Sequence, residues 1–208
     1  YKLNKVKDIQ SVDTGSSVSL GFDFKINNLD ENNEIKSEKF KIGIGQIINA
    51  NENRDMPSKA TLNERMSDII GEASINLSEN VRITNSFLLD QSLNNFNQNQ
   101  IDLGIVYPQT NFNISYLEES QHIGNTKYLE TKAGFNFNNG LISLGAKRNL
   151  LTNSAEFYDL SYEYINDCLK AGVAFRREFY RDRDLEPEDS LIFKVTFSPL
   201  GTISTPAN

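Results

Sequence analysis

Few side chains in this sequence are equipped for covalent or metal chemistry. There is one histidine and one cysteine, so a zinc site built on paired histidines, paired cysteines or a cysteine cluster cannot be assembled within the chain. His122 ends the run Glu118-Glu119-Ser120-Gln121-His122, where a Ser-His or Asp-His pair is conceivable. No motif supports one, so the residue reads as an exposed loop histidine and no catalytic residue is assigned. From Arg181 to Asp189 the run RDRDLEPED spaces carboxylates that suit a hard cation such as Ca²⁺ or Mg²⁺. It lacks the sixth-position glycine and twelfth-position glutamate of a calcium loop, and Pro187 marks a turn. A charged hairpin loop with internal Arg-Asp pairing is therefore expected, with no metal and no cofactor. Asn113-Ile-Ser reads as a glycosylation acceptor only in a secretory eukaryotic protein, and inside a predicted strand it is set aside.

The elements that carry these residues have to come from a chain of 208 residues, 38% hydrophobic and 24% charged, enough for one ordinary domain and not the composition of a disordered one. No stretch approaches the roughly 18 apolar residues of a helical membrane span. A formal net charge of -7, with no basic run longer than Arg176-Arg177, argues against a surface that neutralises nucleic-acid phosphates. The sequence begins at Tyr1 with no charged-then-apolar leader ahead of the repeating pattern, and we expect a mature product or the C-terminal piece of something larger.

That pattern has a period of two. From Ser17 to Asn27, Val18, Leu20, Phe22, Phe24 and Ile26 alternate without a miss against polar residues and glycine, which predicts a strand with one apolar and one polar face. The alternation returns at Lys39 to Gly45, Ile69 to Leu77, Val81 to Leu89, Ile101 to Tyr107, Phe112 to Tyr116 and Thr131 to Phe137. It continues at Ile142 to Ala146, Tyr158 to Tyr164, Leu169 to Phe175 and Leu191 to Phe197. This makes about eleven strands, with a twelfth expected in Tyr1 to Ile9, and no helical stretch of comparable clarity.

The links add a second regularity. Short ones (Asn28 to Asn33, Ser78 to Asn80, Pro108 to Asn111, Asn138 to Gly140, Ile165 to Asp167) take turns with long polar ones (Ala50 to Ser67, Asp90 to Gln98, Glu118 to Lys127, Arg148 to Ser154, Tyr180 to Asp189). A soluble sandwich has no reason to sort its loop lengths by parity, whereas an outer-membrane barrel has tight periplasmic turns and longer outer loops. The polar face suits a wet lumen, and Lys170, Arg176, Glu178, Lys194 and Thr196 are expected to face it. Tyr107, Phe137 and Tyr164 sit beside short turns, and Phe179 and Tyr180 at a long loop, as interfacial aromatic girdles do. The expected fold is thus all-β, an antiparallel transmembrane β-barrel meander; a half-buried soluble sheet is the alternative.

Cys168 follows the short turn Ile165-Asn166-Asp167, which the parity places on the periplasmic side. A lone cysteine in an oxidising compartment suggests a partner outside the chain, and a packed free thiol is the other reading. The stretch Tyr162 to Cys168 (YEYINDC), followed by Leu169 to Tyr180 (LKAGVAFRREFY) and Asp182 to Phe197 (DRDLEPEDSLIFKVTF), resembles the C-terminal end of the LPS-assembly outer-membrane family LptD, especially in its alphaproteobacterial form. These residues cover about a quarter of the chain, and the rest agrees in strand pattern.

The resemblance implies a translocon in the bacterial outer membrane. Members of that family carry a signal peptide and a periplasmic jellyroll domain ahead of a large barrel, so residues 1–198 would be the C-terminal portion of a barrel and 199–208 a periplasmic tail. Lipopolysaccharide would arrive from an LptA-type periplasmic bridge through the missing N-terminal domain. It would leave sideways between the first and last barrel strands into the outer-membrane lipids. The last strand, with Leu191, Phe193, Val195, Phe197 and the pairing-breaker Pro199, is then expected to flank the lateral gate. An LptE-type lipoprotein plug would meet the inward face. Cys168 matches a family cysteine that bridges to cysteines before the barrel; where some relatives have two adjacent cysteines this chain has Asp167-Cys168, so one bridge is implied. The competing function is a general porin or diffusion channel, against which stands the chain beyond Phe197, since porins usually finish on the terminal strand's aromatic residue.

Overall fold

Strict alternation leaves each predicted strand with one face that water disfavours, and a strand can satisfy its backbone only by pairing with neighbours. The computed structural model describes residues 15–52, 61–120, 125–179 and 188–197, and the backbone of 201–207. Twelve strands follow one another: β1 (Ser17–Leu29), β2 (Ile35–Asn49), β3 (Ile69–Ser78), β4 (Val81–Leu89), β5 (Phe96–Tyr107), β6 (Thr110–Glu119), β7 (Thr126–Phe137), β8 (Gly140–Asn149), β9 (Ser154–Ile165), β10 (Leu169–Glu178), β11 (Asp189–Phe197) and β12 (Gly201–Ala207). They form one 12-stranded sheet in sequence order, with β1 and β12 at the two ends of that order. The all-β antiparallel meander is as expected. Strands of 9 to 15 residues through β11 meet the roughly 9–11 tilted residues a bilayer requires.

The link parity holds as well. Odd-to-even links are short: residues 30–34, Glu79-Asn80, Pro108-Gln109, Asn138-Asn139 and residues 166–168. Even-to-odd links are longer at residues 50–68, 90–95, 120–125 and 179–188, and the exception is the β8–β9 link, residues 150–153, which is one residue shorter than 30–34. Turn chemistry explains the tight ones. Asn138 takes φ 38° and Asn33 φ 60°, the left-handed region that asparagine tolerates. In the β9–β10 turn the Asn166 side-chain oxygen accepts from the backbone N–H of Cys168 at 3.0 Å and of Leu169 at 2.7 Å.

By contacts the chain falls into two units. One comprises Tyr1–Leu77, Ile83–Ile101 and Glu118–Asn125; the other comprises Ser78–Arg82, Asp102–Leu117 and Thr126–Asn208. In the first, the apolar row Phe22–Ile44–Gly71 crosses β1, β2 and β3 in register. In the second, Leu144–Leu160–Phe175–Leu191 crosses β8 to β11. Among the described residues no apolar layer packs over either row. Among the described residues the buried hydrophobic side chain is Leu88, at 8% exposure, while Val18, Phe22, Leu160 and Phe193 stand 59%, 57%, 49% and 47% exposed. Fully exposing one large apolar side chain forgoes about 1.5–3 kcal/mol. Tyr158, Leu160, Tyr162, Phe175, Phe193 and Phe197, each exposed by 39–49%, together forgo about 4–8 kcal/mol in water, comparable with the whole net stability of a domain. A sheet so arranged needs an apolar medium on that face.

Two expectations change at the chain's ends. The twelfth strand expected at Tyr1 to Ile9 lies outside the described residues. A twelfth strand occurs instead at Gly201–Ala207, within the segment expected to be a tail, and pairs with β11 from Leu191↔Ala207 to Phe197↔Gly201. Thr202, Ile203 and Thr205 are β-branched and favour extension, and Pro206 is tolerated because an end strand can leave one N–H position unused. Consequently β11, expected as the last strand, is paired on both sides, by β10 and β12. Pro199 lies outside the described residues.

Candidate functional site

The polar face of β9, β10 and β11 gathers the expected inward set. Register aligns Ile165–Lys170–Thr196, Glu163–Gly172–Lys194 and Asp159–Arg176–Ser190 across the three strands. Lys170, Arg176, Glu178, Lys194 and Thr196 therefore share one face, opposite Leu191, Phe193, Val195 and Phe197. Arg176 is the centre of this group: its Nε lies 2.7 Å from Glu178 Oε1 and 3.5 Å from Asp159 Oδ1, and its guanidinium stands 4.4 Å from the centre of the Phe157 ring. A guanidinium held by two carboxylates and a ring face is kept in one orientation. Further along, Lys132 pairs with Glu130 at 2.7 Å and Lys147 lies 4.2 Å over the Tyr128 ring. The face thus carries both signs of charge, laid flat along the sheet.

Glycines make room for this. In the first unit a Cβ on Gly43 would collide with Asp23 Oδ1, and Lys41 reaches Glu72 at 3.7 Å. Asp23, Gly43 and Glu72 form one cross-strand row, so the glycine leaves space for the Asp23 carboxylate over β2. In the second unit a Cβ on Gly172 would lie 3.1 Å from the Tyr162 carbonyl oxygen, closer than ordinary contact. The polar face of the first unit bears a cavity of about 370 Å³ bordered by Asp23, Lys41, Glu72 and Gln98. A second of the same size in the other unit is lined mainly from the apolar face, by Phe112, Leu144 and Tyr158, beside Lys132 and Asp159.

A buried polar cluster was not anticipated from the sequence. The segment from Thr61 to Asp68, expected as plain outer loop, folds against the end of β2. Ile47 and Ser67 exchange backbone and side-chain bonds, with Ile47 N–H donating to Ser67 Oγ and Ser67 N–H to Ile47 O, both at 2.9 Å. Asn49 N–H donates to Arg65 O at 2.7 Å. Asp68, at 2% exposure, accepts from Thr61 Oγ1 at 2.9 Å and from Asn97 Nδ2 at 2.7 Å. Ser67 and Asn97 beside it are buried too. Only the placement of Ser67 and Asp68 directly before the Ile69-Ile70 pair hinted that they enter the sheet.

Among the other residues considered for chemistry, Cys168 is exposed, carries a free thiol and is the last residue of its turn, one position before β10 begins. His122 lies outside the described residues, as do residues 181–187 of the charged loop; of its acids, Asp189 lies 3.4 Å from Arg177 Nε. Among the described residues no group of three or more metal-ligating side chains occurs, and no helix is long and apolar enough to cross a membrane.

A family model described as LptD: LPS transport system D matches residues 1–150. The matched span ends before the Tyr162 to Phe197 stretch on which the resemblance was drawn. No curated protein matches. Among solved structures, a mutant of the Rh. blastica porin is 10% identical and covers 90% of this chain and 83% of its own, with a TM-score of 0.48, too low to carry an argument.

Proposed function

Since the chain belongs to the LptD family, LPS transport system D, and is accordingly a bacterial outer-membrane protein, we propose that it forms part of a translocon that delivers lipopolysaccharide into the outer leaflet through a lateral opening. The carrying observation is the pairing of two surfaces on one sheet: an apolar face over which no layer packs among the described residues, and a polar face of mixed charge. A lipid with a large sugar head and apolar tails needs both, a wet path for the head and a seam through which the tails reach hydrocarbon.

In this reading the short links lie in the periplasm and the long ones outside. Lys170, Arg176, Glu178, Lys194 and Thr196 face the lumen and an LptE-type plug, and lipopolysaccharide is handed over from an LptA-type bridge. The seam belongs to the end strands. We assign it to β12, with Leu191, Phe193, Val195 and Phe197 of β11 immediately behind it. Pro206, opposite Ile192, removes one ladder donor at the long-link end of the strand. The reading involves no reaction, and the chain's residues are assigned to passage and not to catalysis.

Depletion of the full-length protein in its own cells tests the proposal. The expected result is loss of lipopolysaccharide from the cell surface with its accumulation inside, restored by re-expression. A porin instead would leave surface lipopolysaccharide unchanged on depletion and would make liposomes permeable to small sugars.

A further inference from the structure

The apolar face of β7 to β11 is not alike at its two ends. Beside the short links it presents Phe137, Tyr164, Leu169 and Phe197, without a charge. Beside the long links, the alternation that places Leu144 and Ala146 on this face ends in Arg148, and the one that places Val173 and Phe175 there ends in Arg177. Lys127 of β7 shares that end, its carbonyl accepting from Leu150 N–H at 2.7 Å.

Arg148 and Arg177 are separated by β9. Register sets Ala146, Tyr158, Arg177 and Asp189 in one row, with Arg148 two residues further toward the long link. Strand spacing and rise put the two Cα atoms roughly 12 Å apart, a span both long side chains can close onto one headgroup. Tyr158, 49% exposed, stands between them. The Phe179 ring meets it edge-on at 5.4 Å, and the Arg177 guanidinium is 5.4 Å from the centre of the Phe179 ring. Below this platform the face continues as Leu144, Leu160 and Phe175.

Among the described residues, the anions do not saturate the arginines. Arg177 meets Asp189 at 3.4 Å, but the side chains are 55% and 53% exposed, so the pair is weak and exchangeable. Arg148 Nη2 donates to Asn153 Oδ1 at 2.7 Å and Asn153 O at 3.5 Å, leaving other guanidinium donors for a ligand. The nearby Glu156 is taken out of the row by a register shift at Lys147/Arg148 and accepts from Asn149 at 3.3 Å.

We propose that Arg148, Tyr158, Arg177 and Phe179 form a membrane-facing site for the phosphorylated headgroup of an anionic glycolipid already resident in the outer leaflet, separate from the transport path. Planar guanidinium forks match phosphate oxygens, the aromatic pair offers a surface for a sugar ring, and the apolar face receives the acyl chains. Charge on a lipid-facing strand is tolerated near the interface and not at mid-membrane, which is where both arginines sit. The site rests on the proposed orientation, with long links outward.

Its test uses the purified full-length protein in detergent, with bisphosphorylated lipid A, the same lipid stripped of phosphate, and inorganic phosphate as probes, read by native mass spectrometry. The expected result is retention of the phosphorylated lipid about tenfold above the stripped one. R148Q/R177Q loses most of that difference, R148K/R177K keeps part of it, and K132Q on the opposite face keeps it all. Equal binding of both lipids by the wild type, which involves no variant, would overturn the site. So would full retention by R148Q/R177Q, or displacement of the lipid by millimolar inorganic phosphate, which would reveal a bare anion site. Cells carrying R148Q/R177Q are expected to deliver lipopolysaccharide to the surface normally, so a defect there on depletion of the wild type bears on the transport reading, and loss of lipid retention bears on this site.

Discussion

Asp68 shows how much one carboxylate can hold when it is buried with donors on both oxygens. Replacing it by alanine leaves the Thr61 hydroxyl without one of its acceptors and the Asn97 amide without its Asp68 partner in a buried setting, each costing about 1–3 kcal/mol. We expect Asp68→Ala to free the 61–68 segment, read as protease cleavage there at a concentration that spares the wild type. Asp90, in the β4–β5 link, behaves differently. Desolvation pushes its carboxyl up, but the Asn94 N–H, the Ser92 hydroxyl and Asn95 hydrogen-bond its charged form, and the balance leaves it below the ordinary carboxylate value. A lowered folded-state value means the link is stabilised above the unfolded carboxylate's pKa and loses that support as pH falls through the folded one. Protection of the Asn94 and Asn95 amides, taken relative to the intrinsic exchange rate at each pH, should therefore fall on acidification below about pH 4, and Asp90→Asn should show no such fall. The turn asparagines were legible as residue types in the sequence; Asp68 was not, because nothing local distinguishes an aspartate in a solvated loop from one whose donors come from Thr61 and, 29 residues on, Asn97.

At the scale of elements, strands β1 to β11 were legible because each side chain's environment alternates with a period that neighbours in sequence report. Strand β12 was missed because Pro199 precedes it in the sequence, Pro206 falls within it, and its value lies in pairing with β11, which no local pattern records. The ordering of link lengths is the element-level feature with the most direct consequence. If it reflects sidedness, cysteines introduced at Glu79 and Asn138 should resist an impermeant thiol reagent on intact cells, and cysteines at Ser92 and Asn153 should react, in a Cys168→Ser background. The reverse pattern would invert the orientation and, with it, the place of the membrane-facing arginines.

For the whole molecule, the inverted distribution of polarity, with Asp68 and Asn97 buried while Phe22 and Phe193 lie open, is the property that ordinary globular reasoning would misread as poor packing. It is consistent because the apolar medium is external. Cys168 belongs to this scale, since the chain has no second cysteine and any bridge must run to a segment outside these 208 residues. Its exposure on a short link leaves the thiol accessible. In the full-length protein, non-reducing electrophoresis should show a mobility shift that Cys168→Ser abolishes, and a shift unchanged by that substitution would assign the bridge to other cysteines.

The strand order also governs how such a sheet is built and how it can be altered. Each ladder joins sequence neighbours, so the loops closed during assembly are short, contact order is low for a β protein, and register can propagate hairpin by hairpin. Sidedness is then conserved in steps of two. Excising β7 and β8 together, Thr126–Asn149, leaves every remaining link at its original end, whereas removing either strand alone would send all downstream links to the opposite side. The hairpin, and not the strand, is the unit in which this architecture can lengthen or shorten without turning itself inside out.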